Sequence, residues 1–367
     1  MEPIRVLHVV PAMNCGGMET FIMNIFRNID RRKVQFDFLY HYADSCFYDE
    51  EILELGGRIY KLSVRNDNDF LKYFQELNSF FSAHKEYQIV HGHYSGFGMF
   101  YNHYAKKHGV RCRIGHSHSD KYEKGMIGQL DRFMSKPFRY GLTHRFGCSE
   151  AAGRFLFGKY PFQVYLNGID AKRFVFDEGK RQKIRLQFGI SDSDTVIGHV
   201  GRFDPVKNHA FLLQTFAEIL HEDSSYKLML IGDGVLRSAV EKQAEELGVR
   251  QQVIFAGIQK KTEEFYSAFD MFALPSHFEG IPLSLIEAQA NGLLCVISDN
   301  VNAAADITGR VITLPLQNTI WRNSILRNKT EGRLNTYKKI CAMGYDIQST
   351  ARELEKFYLS NSARREA

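Results

Sequence analysis

The chain has little of what crosslinks, stiffens or inserts a protein. Its six cysteines, Cys15, Cys46, Cys112, Cys148, Cys295 and Cys341, form no CxxC pair and no dense framework. That scatter argues against a disulfide scaffold and for reduced thiols in a cytosol. No run approaches eighteen apolar residues, so no transmembrane helix is expected. The opening Met1-Glu2-Pro3-Ile4-Arg5 passes at once into a strand-like run, without the basic and apolar regions of a secretory signal. Charge of one sign is also scarce: 47 Lys and Arg against 42 Asp and Glu leave +5. This is too weak and too dispersed for a nucleic-acid partner, though it suits an anionic ligand or an anionic membrane surface. What remains is the composition of a globular enzyme, 44% hydrophobic and 24% charged, in 367 residues that suffice for two domains.

Short apolar runs alternate with amphipathic segments along the whole chain. Expected strands in the first half are Arg5–Val10, Phe36–Tyr40, Ile59–Leu62, Ile89–His91, Arg113–His116, Arg145–Cys148 and Gln163–Leu166. Those of the second half are Val196–Val200, Lys227–Ile231, Val253–Phe255, Met271–Leu274, Cys295–Ser298 and Val311–Leu314. Met18, Phe21, Ile22, Ile25, Phe26 and Ile29 share one helix face between the first two strands. The pattern predicts an α/β protein of two Rossmann-like domains, with parallel sheets whose strand C-termini face an interdomain cleft. The turn Asn167-Gly168-Ile169-Asp170 separates a domain over 1–168 from one over 169–347. A final helix over 348–367, with Leu354 and Phe357 or Tyr358 as apolar contacts, is expected to pack back on the first domain.

Candidate chemistry concentrates where strands end. Glu279 and Glu287 frame Gly280-Ile281-Pro282-Leu283-Ser284-Leu285-Ile286, which follows the strand Met271–Leu274 and enters a helix. Pro282 suits the first turn, whose free N–H groups and positive end attract phosphate. A carboxylate one turn further in, Glu287, then reaches the hydroxyls of a ribose. Arg202 and Lys207 leave the strand Val196–Val200 at its C-terminal edge, where two fixed cations neutralise a diphosphate without a metal. Gly16 and Gly17 follow the first strand and suit either a tight turn or a close backbone approach to a phosphate or sugar. Gly232-Asp233-Gly234 reads as a tight strand-to-helix turn, and Gly257-Ile258 presents backbone to a nucleobase. Two H-x-H pairs, His91/His93 and His116/His118, raise the question of zinc. No cysteine or carboxylate of matching spacing completes a tetrahedral set, so no metal is expected. His93 and His116 are instead candidates for contact with a sugar or acceptor. Asp192-Ser193-Asp194 precedes a strand, and Asp67-Asn68-Asp69 lies in a polar loop. Both read as turn chemistry.

In this order the motifs resemble family 4 of the retaining glycosyltransferases, which have the two-Rossmann architecture called GT-B. The resemblance spans nearly the whole chain. It rests on Gly16-Gly17-Met18-Glu19, Leu166-Asn167-Gly168-Ile169-Asp170, Gly201-Arg202 with Lys207, and Gly232-Asp233-Gly234. It continues through Pro275-Ser276, the Glu279/Glu287 pair, and Leu285-Ile286-Glu287-Ala288-Gln289-Ala290 with Gly292. It is similar above all to enzymes that assemble bacterial capsular or exopolysaccharide. The resemblance implies transfer of a sugar from a nucleotide diphosphate donor, a UDP-sugar, to a glycan or undecaprenyl-linked acceptor, with no cofactor. It implies that Arg202 and Lys207 bind the diphosphate and Glu287 the ribose. Glu279, with Gly280, Ile281, Pro282 and Leu283, would hold the donor sugar, with Ile258 near the base. Gly16 and Gly17 would face the phosphates. His118 matches the family histidine near the reacting sugar, with His116 as the alternative.

Two other readings use the same residues. A sugar-nucleotide epimerase or hydrolase would take His93, His118 and Glu279 as acid/base groups. A binding protein without turnover would have lost a cation or a glutamate, and neither is lost. Lys121, Lys124, Arg132, Lys136 and Arg139 surround Met126, Ile127, Leu130, Phe133, Met134 and Phe138. That pattern fits an ordinary helix with solvated charges or, with the family in view, contact with an anionic membrane. The protein is therefore expected in the cytoplasm, at the inner face of the cell membrane.

Overall fold

The computed structural model describes residues 2–14, 16–42, 44–62, 69–93, 96–119, 135 and 141–362. Cys15, the basic and apolar residues named between 121 and 139, and Asp67-Asn68 lie outside the described residues. The chain divides into two compact units, Met1–Gly168 with Ile347–Ala367, and Ile169–Asp346.

In the first unit seven parallel strands form one sheet, β1 (Ile4–Val10), β2 (Val34–Tyr40), β3 (Ile59–Lys61), β4 (Ile89–Gly92), β5 (Cys112–Ser117), β6 (His144–Gly147) and β7 (Gln163–Val164). Their order is β3-β2-β1-β4-β5-β6-β7. Helices α1 (Gly17–Asn28), α2 (Asp49–Glu54), α3 (Phe70–Ala83), α4 (Gly98–Lys107) and α5 (Glu150–Phe157) connect them. Helix α1 buries Phe21, Ile22, Ile25 and Phe26, the stripe visible in the sequence, against Phe36 and Phe38 of β2. Strand β2 is buried along its length, Asp37 included. That carboxylate is matched by the Arg5 guanidinium and the Tyr87 hydroxyl, which removes the cost of an unpaired buried charge. The last helix (Ile347–Asn361, labelled α13 below) belongs to this unit. Ile347, Ala351, Leu354 and Tyr358 pack into the core beneath α1, while Phe357 is partly buried. An ion pair of 3.0 Å from Lys33 to Glu355 seals its edge.

The second unit holds a six-stranded sheet of order β10-β9-β8-β11-β12-β13, every pairing parallel. The strands are β8 (Thr195–Val200), β9 (Tyr226–Ile231), β10 (Val253–Gly257), β11 (Met271–Leu274), β12 (Leu294–Ser298) and β13 (Val311–Leu314). Its helices are α6 (Glu178–Gln187), α7 (His209–Glu222), α8 (Arg237–Glu246), α9 (Thr262–Ala268), α10 (Leu283–Ala290), α11 (Asn318–Arg327) and α12 (Tyr337–Ala342). The final helix is accordingly α13. Every expected strand is present, because parallel strands covered on both faces read as unbroken apolar runs. The seventh is shorter than expected: β7 ends at Val164, and Gln163 and Val164 are exposed on a sheet edge with a partner on one side only.

Candidate functional site

The second sheet reverses its winding between β8 and β11, the switch point at which open α/β sheets gather ligand-binding loops. Arg202 follows β8 and is exposed. Lys207 closes a single 3-10 turn, Pro205–Lys207, capped by Asp204, which accepts from the Val206 and Lys207 N–H groups at 3.0 and 3.2 Å. Asn208 takes the left-handed conformation, φ 54°, and redirects the chain into α7. Glu279 leaves β11 on the neighbouring loop, and its carboxylate forms an ion pair with the Lys207 ammonium. Ser276 donates its hydroxyl to the same carboxylate at 3.2 Å. The backbone of Glu279 is pinned to the loop after β12, its carbonyl accepting from Asn302 N–H at 3.1 Å. His277 N–H donates to Val206 O at 2.8 Å and ties the two loops together.

The glycine turn after β9 supports this arrangement. Gly232 has φ +129°, and a Cβ there would stand 2.1 Å from Gly201 O. Only glycine lets the turn press against the Arg202 loop. Phe203 N–H then donates to Asp233 O at 3.0 Å, and Leu236 N–H to Phe203 O at 3.0 Å. The lysine stem lies over Gly201, where an added Cβ would be 3.1 Å from Lys207 Cδ. Gly232 N–H also donates to Gly257 O at 2.9 Å, which ties the turn to the end of β10. Ile258 beside it is exposed.

Helix α10 begins at Leu283, and Pro282 caps it from one residue ahead, where the sequence suggested the first turn. The φ of −71° suits the cap as it would suit the turn, so the pattern alone does not separate the two. The first helical bonds run from Leu285 and Ile286 N–H to Pro282 O, leaving the Leu283 and Ser284 amides outside the ladder at the positive end. Nothing lies within 4 Å of a Cβ built on Gly280, so packing does not demand glycine there. Ile281 and Leu283 on either side of Pro282 are half-buried. Glu287 accepts the Tyr266 hydroxyl of α9 at 2.7 Å. Desolvation pushes its carboxyl up to about 7 despite that bond.

In the first unit the same reversal falls between β1 and β4. Gly16 caps α1 with extended backbone, and a Cβ at Gly17 would meet nothing within 4 Å. The histidines lie on the neighbouring strand ends. His116, expected to contact a sugar or acceptor, is 2% exposed and 3.1 Å from His91, which reaches the Tyr358 hydroxyl of α13 at 2.7 Å. It is a buried side chain, because β5 carries it under α13. His93 is also buried, 2.8 Å from His118, while His118 is half-buried. Burial lowers all three, His118 to about 3 and His93 and His116 well below the ordinary value, so each imidazole is neutral. The argument from spacing treated the H-x-H pairs separately. The sheet sets them side by side, pairing His91 with Ile114 and Gly92 with Gly115, and adds His8 of β1. His8, Tyr266 and the cap Asp204 carry no signal of their own in the sequence. Ser276 stood in the motif without a role.

With the site's geometry in place, known proteins supply the comparison. Residues 180–310 match the family described as glycosyl transferases group 1. EpsF of Bacillus subtilis (strain 168), a protein assigned as a glycosyltransferase, is 36% identical over 369 residues, covering 96% of each chain. The chain belongs to the group 1 glycosyltransferases. The UDP-Gal:alpha-D-GlcNAc-diphosphoundecaprenol alpha-1,3-galactosyltransferase of Escherichia coli is a more distant relative of this glycosyltransferase. It is 24% identical over 78% of this chain and 80% of its own. Among solved structures, Anabaena HepE in complex with UDP and glucose superposes with a TM-score of 0.78 at 17% identity. That match covers 97% of this chain and all of HepE, and it shows the GT-B fold. No helix among the described residues is long and apolar enough to cross a membrane.

Proposed function

We propose that this glycosyltransferase transfers a sugar from a UDP-sugar to a lipid-linked diphosphate glycan with retention of anomeric configuration and without a metal. The observation that carries the reading is the Lys207–Glu279 ion pair at the switch point of the second sheet, beside the exposed Arg202 and the amides of α10. The pair keeps a cation in place, ready to exchange its carboxylate partner for a diphosphate. Arg202, Lys207 and the α10 amides then stabilise the charge that develops on the departing UDP, a contribution of roughly 2–4 kcal/mol per donor removed. Glu279, released from Lys207, and the amides around Gly280 take the sugar. Glu287 takes the ribose, and the open space at Gly280 admits the ligand. Residues 169–346 form the donor domain, and 1–168 with the helix from Ile347 the acceptor domain. Gly16, Gly17 and His118 are assigned to the phosphate and sugar by the family resemblance. By the family resemblance, the acceptor attacks the face that the diphosphate leaves. A UDP-galactosyl donor and a diphosphoundecaprenol acceptor in the Escherichia coli relative support this class of substrates. Such an acceptor would bring the enzyme to the inner face of the cell membrane.

The test is a thermal-shift panel of UDP, GDP, ADP and dTDP with and without magnesium, followed by transfer from the matching donor and NMR of the product anomer. The expected result is stabilisation by UDP that magnesium leaves unchanged, and a retained anomer. Stabilisation only with magnesium, or an inverted anomer, refutes the corresponding part.

A further inference from the structure

The first unit carries a histidine cluster of which the sugar-transfer reading uses one member, His118. Five imidazoles, from His8, His91, His93, His116 and His118, fill one layer across β1, β4 and β5. All but His118 are at least nine-tenths buried. Three of their ring nitrogens, His8 Nε2, His116 Nε2 and His118 Nδ1, are buried without a hydrogen-bond partner. Unsatisfied buried groups are costly and call for an explanation.

We infer that His93, His116 and His118 form a site for zinc or a similar borderline-soft divalent cation. One ring nitrogen from each of the three lies within 4.8 Å of the others. His93 Nδ1 and His118 Nε2 are 2.8 Å apart. A tetrahedral zinc with bonds of about 2.0–2.1 Å holds its ligand nitrogens about 3.3 Å apart, so a small spreading of the rings admits the ion. The third ligand is the unpartnered His116 Nε2, because His116 Nδ1 is already engaged by His91 at 3.1 Å.

The remaining residues then form a consistent outer layer. His93 Nε2–H donates to His8 Nδ1 at 3.0 Å. His116 Nδ1–H donates to His91 Nε2, and His91 Nδ1–H donates to the Tyr358 hydroxyl at 2.7 Å. Each bond directs a proton away from the metal and bares the nitrogen that ligates, as outer partners of zinc histidines do. The alternative trio, His8, His91 and His93, is wholly buried and gives an ion no way in. His118 is half-buried and supplies one. Three ligands leave a fourth position for water or an incoming group. The site is independent of the reading of the chain as a UDP-sugar transferase. If both hold, zinc occupies the histidine assigned to the reacting sugar and inhibits transfer.

The test uses the full-length chain, freed of metal by a chelator and titrated with zinc chloride alone against a chromophoric zinc chelator. Cobalt(II) replaces zinc as a spectroscopic probe of geometry. We expect one zinc per chain, tetrahedral cobalt bands, and binding at least about a hundredfold weaker in His118→Ala. His8→Leu, one layer out, should weaken binding about 10- to 100-fold. Zinc should also shift the His93, His116 and His118 side-chain resonances of the wild-type protein, a readout that needs no variant. Absence of a stoichiometric zinc in the wild type overturns the proposal. So does binding that His118→Ala leaves unchanged, or zinc-shifted resonances confined to other residues.

Discussion

Replacing Lys207 with Met keeps the stem over Gly201 and removes the charge. Glu279 is 17% exposed and then keeps Ser276 as its side-chain donor among the described residues. Breaking a fully buried pair costs about 3–5 kcal/mol, and an exposed pair costs under about 1 kcal/mol. With Lys207 16% exposed, the ligand-free protein should lose about 2 kcal/mol. In a domain of this size that is a fall of about 4–8 °C in the melting transition. The double variant Lys207→Met/Glu279→Gln leaves no unmatched charge and should recover about half of that loss or more. Turnover should behave differently. With the cation gone, kcat/KM should fall about 10²- to 10³-fold, and the second substitution should not restore it. Differential scanning fluorimetry without ligand and initial rates with a UDP-sugar give both numbers. If the double variant regains activity along with stability, Lys207 merely holds Glu279 in place and the diphosphate role is refuted.

Further outcomes follow from the same geometry. Gly232→Ala places a Cβ 2.1 Å from Gly201 O at φ +129°; strain of about 1–3 kcal/mol plus that clash should displace the Arg202 loop. UDP binding, read by calorimetry, should weaken at least about tenfold, and wild-type affinity would contradict the buttress. Glu287 titrates near 7 when folded against an ordinary value of 4.5. Its contribution to stability is therefore complete below about pH 4.5 and is lost as pH rises towards 7, by roughly 3 kcal/mol. Melting curves from pH 4 to 8 should show that decline flattened in Glu287→Gln, and parallel profiles would exclude Glu287 as its source. Ending the chain at Asp346 strips Ile347, Leu354 and Tyr358 from the first core, roughly 5–9 kcal/mol at about 1.5–3 kcal/mol per buried side chain. Because whole domains hold only about 5–15 kcal/mol, limited proteolysis should digest residues 1–168 and spare 169–346. A protease-resistant first unit would show that α13 is dispensable.

Periodicity and spacing determined the architecture. Strands buried on both faces leave apolar runs such as Met271–Leu274, and α1 leaves its stripe from Phe21 to Phe26, because burial is written in the residue types themselves. The candidate residues could be placed for the same reason: Arg202, Lys207, Glu279 and Glu287 stand at fixed offsets from strands and helices that the pattern already located. Tertiary structure alone decided what meets what. Lys207 faces Glu279 across 72 positions of chain, and Tyr266 reaches Glu287 from a neighbouring helix. His8 meets His93, and His93 meets His118, only because β1, β4 and β5 are neighbours at the reversal of the sheet. His116 is buried against His91, which meets the Tyr358 hydroxyl brought from the far end of the chain by α13. Local pattern records which residues leave water. It does not record which partner each finds there, because that depends on strand order, and strand order is set by packing over the whole domain.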